Sequence, residues 1–165
     1  MAISTVRGLA LFAALQATFA DIHPLCDQWL QSNEDAAGKG LPGREGAKHC
    51  ARHVASYTAG QVGAAVVVTR VLGFRVPLRA LAAGAAVNAV THYVIDRREP
   101  LMALARLAGK QGYVEHATVQ RRDGVVDVAG PGTALTELDQ AAHRAIGVAA
   151  SLVTTWIALR CGRQS

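Results

Sequence analysis

Four long stretches of this chain carry no Asp, Glu, Lys or Arg. They cover residues 8–20, 54–69, 80–95 and 145–159, which makes them 13, 16, 16 and 15 residues long. Their boundaries are polar: Arg7 and Asp21, His53 and Arg70, Arg79 and Asp96, Arg144 and Arg160. Inside them, apolar residues occupy the whole circumference of a helix, as in Gly63-Ala64-Ala65-Val66-Val67-Val68, so no polar stripe is left to face water. At about 1.5 Å rise per residue, 16 residues reach about 24 Å, a little short of the ~30 Å hydrocarbon core of a bilayer. The runs are rich in Gly, Ala, Ser and Thr, the residues that let membrane helices approach closely. The pattern therefore predicts an all-α fold, a four-helix transmembrane bundle forming a single membrane domain over residues 1–165. Its helices fall at about 5–31, 48–71, 78–98 and 134–160.

The connections read as follows. Residues 32–48 hold Gly38, Gly40, Pro42, Gly43 and Gly46 and are expected to be a loop. Residues 72–79 contain Gly73 and Pro77 and form a tight turn. Pro100 opens a short amphipathic helix at about 100–110, whose apolar face (Leu101, Leu104, Ala105, Ala108) suits a membrane surface. A small hairpin or loop over 112–133 turns at Asp123-Gly124 and lies between the third and fourth long helices. Thr133 or Thr136 caps the last helix. At the N-terminus, Arg7 followed by an apolar run and Ala17-Thr18-Phe19-Ala20 resembles a secretory signal. Gln16 interrupts that run and the helical pattern continues through Leu30, which ranks a membrane span first.

Composition narrows the class. Hydrophobic residues make up 51% of the chain and charged residues 18%, which excludes a disordered chain. With 32 alanines among 165 residues, the interior must be built from small side chains in close contact. Three cysteines without C-x-x-C spacing exclude a disulfide framework and a C-x-x-C zinc site. There is no phosphate-cradling glycine loop, nucleophile elbow or dinucleotide fingerprint. Tyr57, Tyr93, Trp29 and Trp156 read as interfacial anchors, and the pairs Arg97-Arg98 and Arg121-Arg122 as headgroup contacts. The lipid bilayer is the expected partner, the location the cell membrane, and no nucleic acid is expected. A homo-oligomer is compatible with the pattern, which names no protein partner.

The candidate chemistry lies in polar residues spaced four apart. His23 and Asp27, His92 and Asp96, and Asp139 and His143 each share a helix face; His49 and His53 repeat the spacing on the remaining helix. If the helices alternate up and down, all these positions fall at the same end of the bundle. His23, Asp27, His53, His92, Asp96, Asp139 and His143 would then meet in one pocket able to hold a divalent metal, zinc or similar. In a hydrolase, Asp27, Asp96 or Asp139 would ligate the ion or act as general base. Charge follows the same division. All 12 acidic residues fall at that end, whereas the other end holds Arg7, Arg70, Arg75, Arg79, Arg160 and Arg163. The acidic end also holds 11 of the 17 Lys and Arg residues, and the positive-inside rule leans it toward the cytoplasm.

The ordered motifs His23-x-x-x-Asp27-x-x-x-Gln31, His53 ahead of Tyr57, His92-Tyr93-Val94-Ile95-Asp96 and Asp139-Gln140-x-x-His143 resemble an uncharacterised family of small bacterial and phage multi-span membrane proteins. That family is loosely similar to membrane-bound metal-dependent hydrolases, so the resemblance implies intramembrane His and Asp ligands. Pro24 inside the first motif departs from the family pattern. Two other functions use the same residues: a proton or divalent-cation conduit, and a structural or partner-recruiting membrane protein with a hydrogen-bonded polar seam.

Overall fold

The computed structural model describes residues 2–161; Arg163, counted above at the basic end, lies outside them. The chain order is α1 (Ala2–Gln28), α2 (Asn33–Gly38), α3 (Gly43–Val71), α4 (Leu78–Asp96), α5 (Glu99–Leu107), α6 (Gln111–His116), β1 (Val119–Gln120), β2 (Val126–Asp127) and α7 (Ala134–Cys161). Local chemistry sets several boundaries. Pro42 and Pro77 precede the first turns of α3 and α4 in extended conformation, where a missing N–H costs nothing. Gly73, at φ 77°, lets the chain leave α3 and return as α4 within a few residues. Thr133 caps α7, its Oγ1 accepting from the Thr136 N–H at 3.3 Å.

The four long helices close a ring in the order α1–α3–α4–α7, each packed on two neighbours. Along α1 and α7, Gln16 meets Ser151 (3.2 Å) and Gly8 lies against Leu159, so the two run antiparallel. Helices α4 and α7 approach most closely at Gly84, where a Cβ would overlap the Thr154 hydroxyl and the Ala150 carbonyl. The small-residue runs thus serve close backbone contact.

The distribution of polarity is inverted relative to a water-soluble bundle. Leu9, Val67, Val90, Leu152 and Trp156 are exposed on the outside, each more than half accessible. His53, Gln61, Asn88, His92, Ser151 and Thr154 are buried inside. Among the described residues, three helical segments, Thr5–Gln28, Leu78–Asp96 and Ala134–Cys161, are long and apolar enough to cross a membrane. Helix α3 is not among them: its first turns are charged, and Ser56, Tyr57, Gln61 and Arg70 lower the hydropathy of the run that follows.

The connections differ from expectation in three places. Residues 32–48 are not one loop: Ser32 caps α2, accepting from the Asp35 N–H at 3.0 Å, and α3 already begins at Gly43. The glycines in that stretch serve close approaches, since a Cβ at Gly46 would overlap the Leu41 carbonyl. Helix α1 stops at Gln28 rather than near residue 31, where the Trp29 and Leu30 N–H groups both turn back to the Leu25 carbonyl. Residues 112–133 contain α6 as well as the hairpin, which pairs Val119 with Asp127. There the Asp127 carboxylate, accepting from the Ala129 and Gly130 N–H groups and from Arg121, is held at about 2.

Candidate metal centre

The C-terminal turns of α1 and α4 and the N-terminal halves of α3 and α7 meet at one end of the ring. Each contributes side chains spaced four residues apart, so each offers a stripe rather than a single group. His23 and Asp27 come from α1, His53 and Tyr57 from α3, His92 and Asp96 from α4, Asp139 and His143 from α7. His53 and His92 are fully buried; His23, Asp96 and His143 are nearly so.

His53 Nε2 is the centre of the cluster. It lies 2.9 Å from His92 Nε2, 3.2 Å from Asp27 Oδ1 and 3.1 Å from Asp96 Oδ2. His92 Nε2 in turn lies 3.2 Å from Asp96 Oδ2. For metal–ligand bonds near 2.0–2.1 Å, neighbouring ligand atoms on a tetrahedral or octahedral ion stand roughly 2.9–3.4 Å apart. These spacings therefore match the edges of a coordination polyhedron. Two overlapping triads can each hold a metal ion: Asp27, His53 and His92; and His92, Asp96 and His143.

The imidazoles are oriented from behind. His143 Nδ1 lies 2.9 Å from the Asp139 carbonyl, an acceptor only, so Nδ1 carries the hydrogen and the Nε2 lone pair faces inward. Asp139 Oδ2 also stands on the Nδ1 side, at 3.5 Å. The structure thus places Asp139 behind His143 rather than among the inward-facing donors. His23 Nδ1 lies 2.7 Å from the Tyr57 hydroxyl, which also accepts from Gln61 Nε2 at 3.0 Å. Such outer partners fix ring orientation and tautomer in metal sites. Tyr57, expected at the membrane interface, is instead a buried part of the centre. Its position is legible afterwards: His53, Tyr57 and Gln61 form one stripe at four-residue spacing, and all three are buried.

Sequence reasoning missed Lys39. Its ammonium reaches Asp96 Oδ2 at 3.1 Å, Asp27 Oδ1 at 3.4 Å and His53 Nε2 at 3.5 Å. Burial works against its charge, but the Asp96 and Asp27 carboxylates outweigh that and lift its pKa above the ordinary lysine value. The segment that delivers it is pinned down: Arg97 donates to the Lys39 carbonyl at 2.8 Å. Asp35 ties α2 to α3, accepting from Arg52 Nε at 3.0 Å and lying 2.9 Å from His49 Nδ1. Its carboxyl is held at about 2, chiefly by Arg52, then by His49 and Ser32. His49 is therefore occupied by Asp35, away from the centre. The one legible signal for Lys39 was its place between Gly38 and Gly40, beyond the Ser32 cap.

Gln140 Nε2 donates to Asp27 Oδ2 at 3.3 Å. With its amide nitrogen on the Asp27 carbonyl and its oxygen on the Ala36 N–H, both at 2.8 Å, Gln31 links α1 to α2. Beside His23, Tyr57 and His143 lies a cavity of about 10 Å³, room for roughly one water. A far larger cleft, about 650 Å³, opens at the opposite end among Val66, Arg70, Phe74, Arg75 and Leu81. None of the residues lining it is a His or an acid, so cleft size does not mark the chemistry.

Compared with protein-family models, with curated proteins and with solved structures, the chain matches none, and the geometry carries the functional argument alone.

Proposed function

We propose that this chain is a multi-pass protein of the cell membrane whose four long helices all span the bilayer, and that its His/Asp centre binds a divalent metal at one membrane face. The observation that carries this reading is the environment of His53 Nε2, with one imidazole nitrogen and two carboxylate oxygens at 2.9–3.2 Å. Ionisable groups near the hydrocarbon cost about 2.5–3.5 kcal/mol each on insertion scales when central. An ion answers that cost for several of them at once. Further support comes from His23 Nε2 and His143 Nε2, buried nitrogens without a hydrogen-bond partner on residues that line the same small cavity.

The reaction class that suits the donor set is hydrolysis. A divalent ion held by imidazole and carboxylate supplies Lewis acidity and a water of lowered pKa. His53, His92, Asp27 and Asp96 hold the ion. Asp139, 21% exposed, steadies His143 from the Nδ1 side and stands as the candidate general base. The nearest cavity admits a water but no substrate, so a substrate can enter only if the site opens.

One specific observation favours a second reading. Lys39 already pairs with both carboxylates, so the cluster can also stand as a metal-free ion-pair network joining four helices. Conduction is the weaker alternative, because the buried apolar cluster of Leu11, Leu15, Phe19, Ala65, Leu81 and Ala150 lies between the centre and the basic end. Elemental analysis of the detergent-purified protein at neutral pH separates the readings. Bound zinc or a similar ion, lost in His53→Ala and His92→Ala, is the expected result. A metal-free, fully helical protein that takes up no zinc on titration overturns the metal reading and leaves the ion-pair network.

A further inference from the structure

We infer that the centre holds two metal ions, bridged by the carboxylates of Asp27 and Asp96. This rests on the reading of the site as a metal centre and deepens it. Each carboxylate divides its oxygens between two histidine pairs. Asp27 Oδ1 faces His53 at 3.2 Å, and Asp96 Oδ2 faces His53 at 3.1 Å and His92 at 3.2 Å. The other oxygens face the other pair: Asp96 Oδ1 lies 3.7 Å from His143 Nε2, and Asp27 Oδ2 lies 4.0 Å from His23 Nε2. The His23 and His143 rings stand 5.2 Å apart.

A single ion among His53, His92, Asp27 and Asp96 leaves His23 Nε2 and His143 Nε2 buried without a partner. Such orphans carry a desolvation cost that nothing offsets. Both rings are nevertheless held with Nε2 inward, by Tyr57 and by the Asp139 carbonyl. His23 and His143 also line one small cavity of about 10 Å³, together with Tyr57 and Arg144. Carboxylates bridging through both oxygens set two ions about 3.5–4 Å apart, the spacing of two-metal hydrolytic sites. Paired acid and histidine residues on facing helices are how bundles build such centres. Charge is consistent as well: Asp139 adds a third carboxylate behind His143.

The test is zinc stoichiometry on chelator-stripped protein in detergent, with helicity and monodispersity as fold controls. Manganese(II) loading adds an independent readout by electron paramagnetic resonance. The expected result is two zinc ions per chain and an exchange-coupled manganese pair. The His23→Ala/His143→Ala variant should then bind one zinc and give the signal of isolated manganese. If that variant does not fold, His23→Gln/His143→Gln keeps size and polarity and makes the same comparison. One zinc per chain in the parent, or two in a folded double variant, overturns the inference while the single-ion centre stands. No zinc in the parent overturns both.

Discussion

Asp96 is the residue whose removal tests the electrostatic argument most directly. Its side chain is 2% exposed, and its Oδ2 faces Lys39 at 3.1 Å, His53 at 3.1 Å and His92 at 3.2 Å. Asp96→Ala in metal-free protein removes the nearest counter-charge of the buried Lys39 ammonium and leaves Asp27, at 3.4 Å, as its closest carboxylate. Removing one partner of a buried ion pair costs about 3–5 kcal/mol, because the other charge stays buried. For a chain of this length each kcal/mol moves the melting temperature by about 2–4 °C, so the expected drop is about 6–20 °C. Lys39→Met in the same chain removes the stranded charge and should return at least half of that loss. The assay is thermal unfolding in detergent with chelator, run as a double-mutant cycle on the parent, both single variants and the double variant. Zinc at 100 times its dissociation constant should stabilise the parent by about 2.7 kcal/mol and leave Asp96→Ala unmoved. A drop under about 1 kcal/mol in Asp96→Ala, or no recovery on adding Lys39→Met, refutes the reasoning that this carboxylate is the hub of a buried charge network.

Tyr57→Phe removes the hydroxyl that orients His23 and should weaken zinc binding by about 10–100-fold with helicity retained; calorimetric titration reads it, and an unchanged affinity would separate Tyr57 from the centre. Gly84→Val forces a side chain into Thr154 and the Ala150 carbonyl and should cost about 1–3 kcal/mol in thermal unfolding; Thr154→Ala should recover only part, because the backbone oxygen remains. The Asp35 clamp predicts a pH dependence with a definite sign. Its carboxyl sits at about 2 in the folded chain and at about 3.9 when unfolded, so its stabilisation is complete above about pH 4 and lost as pH falls toward 2. The gap in melting temperature between parent and Asp35→Asn should therefore be present at pH 6 and close on acidification; a gap that widens on acidification contradicts the sign.

The long helices were legible because apolarity around a full turn has one economical solution, a hydrogen-bonded helix buried in protein or lipid. The pairs spaced four apart were legible because helical geometry alone puts such residues on one face. Their level along the bundle followed from alternating helix direction, and His23, His53, His92 and His143 do meet there. Tyr57 was misread because an aromatic residue near a span end looks the same in sequence whether it faces headgroups or a neighbouring helix. Residues 32–48 were misread because glycine signals both flexible turns and close approach. Only the folded chain shows that Gly46 lies against the Leu41 carbonyl and that Gly38 lies against the His49 ring.

Periodicity along one chain thus specifies which residues share a helix face and at which end of a helix they lie. It does not specify which atom of one helix meets which atom of another. That depends on helix rotation, on the small-residue contacts that bring α4 within reach of α7, and on a loop lysine whose distance in sequence from Asp96 says nothing about its distance in space. The split of each aspartate between two histidine pairs therefore belongs to tertiary packing, because a difference of about an ångström in side-chain placement separates a coordination edge from a mere neighbour.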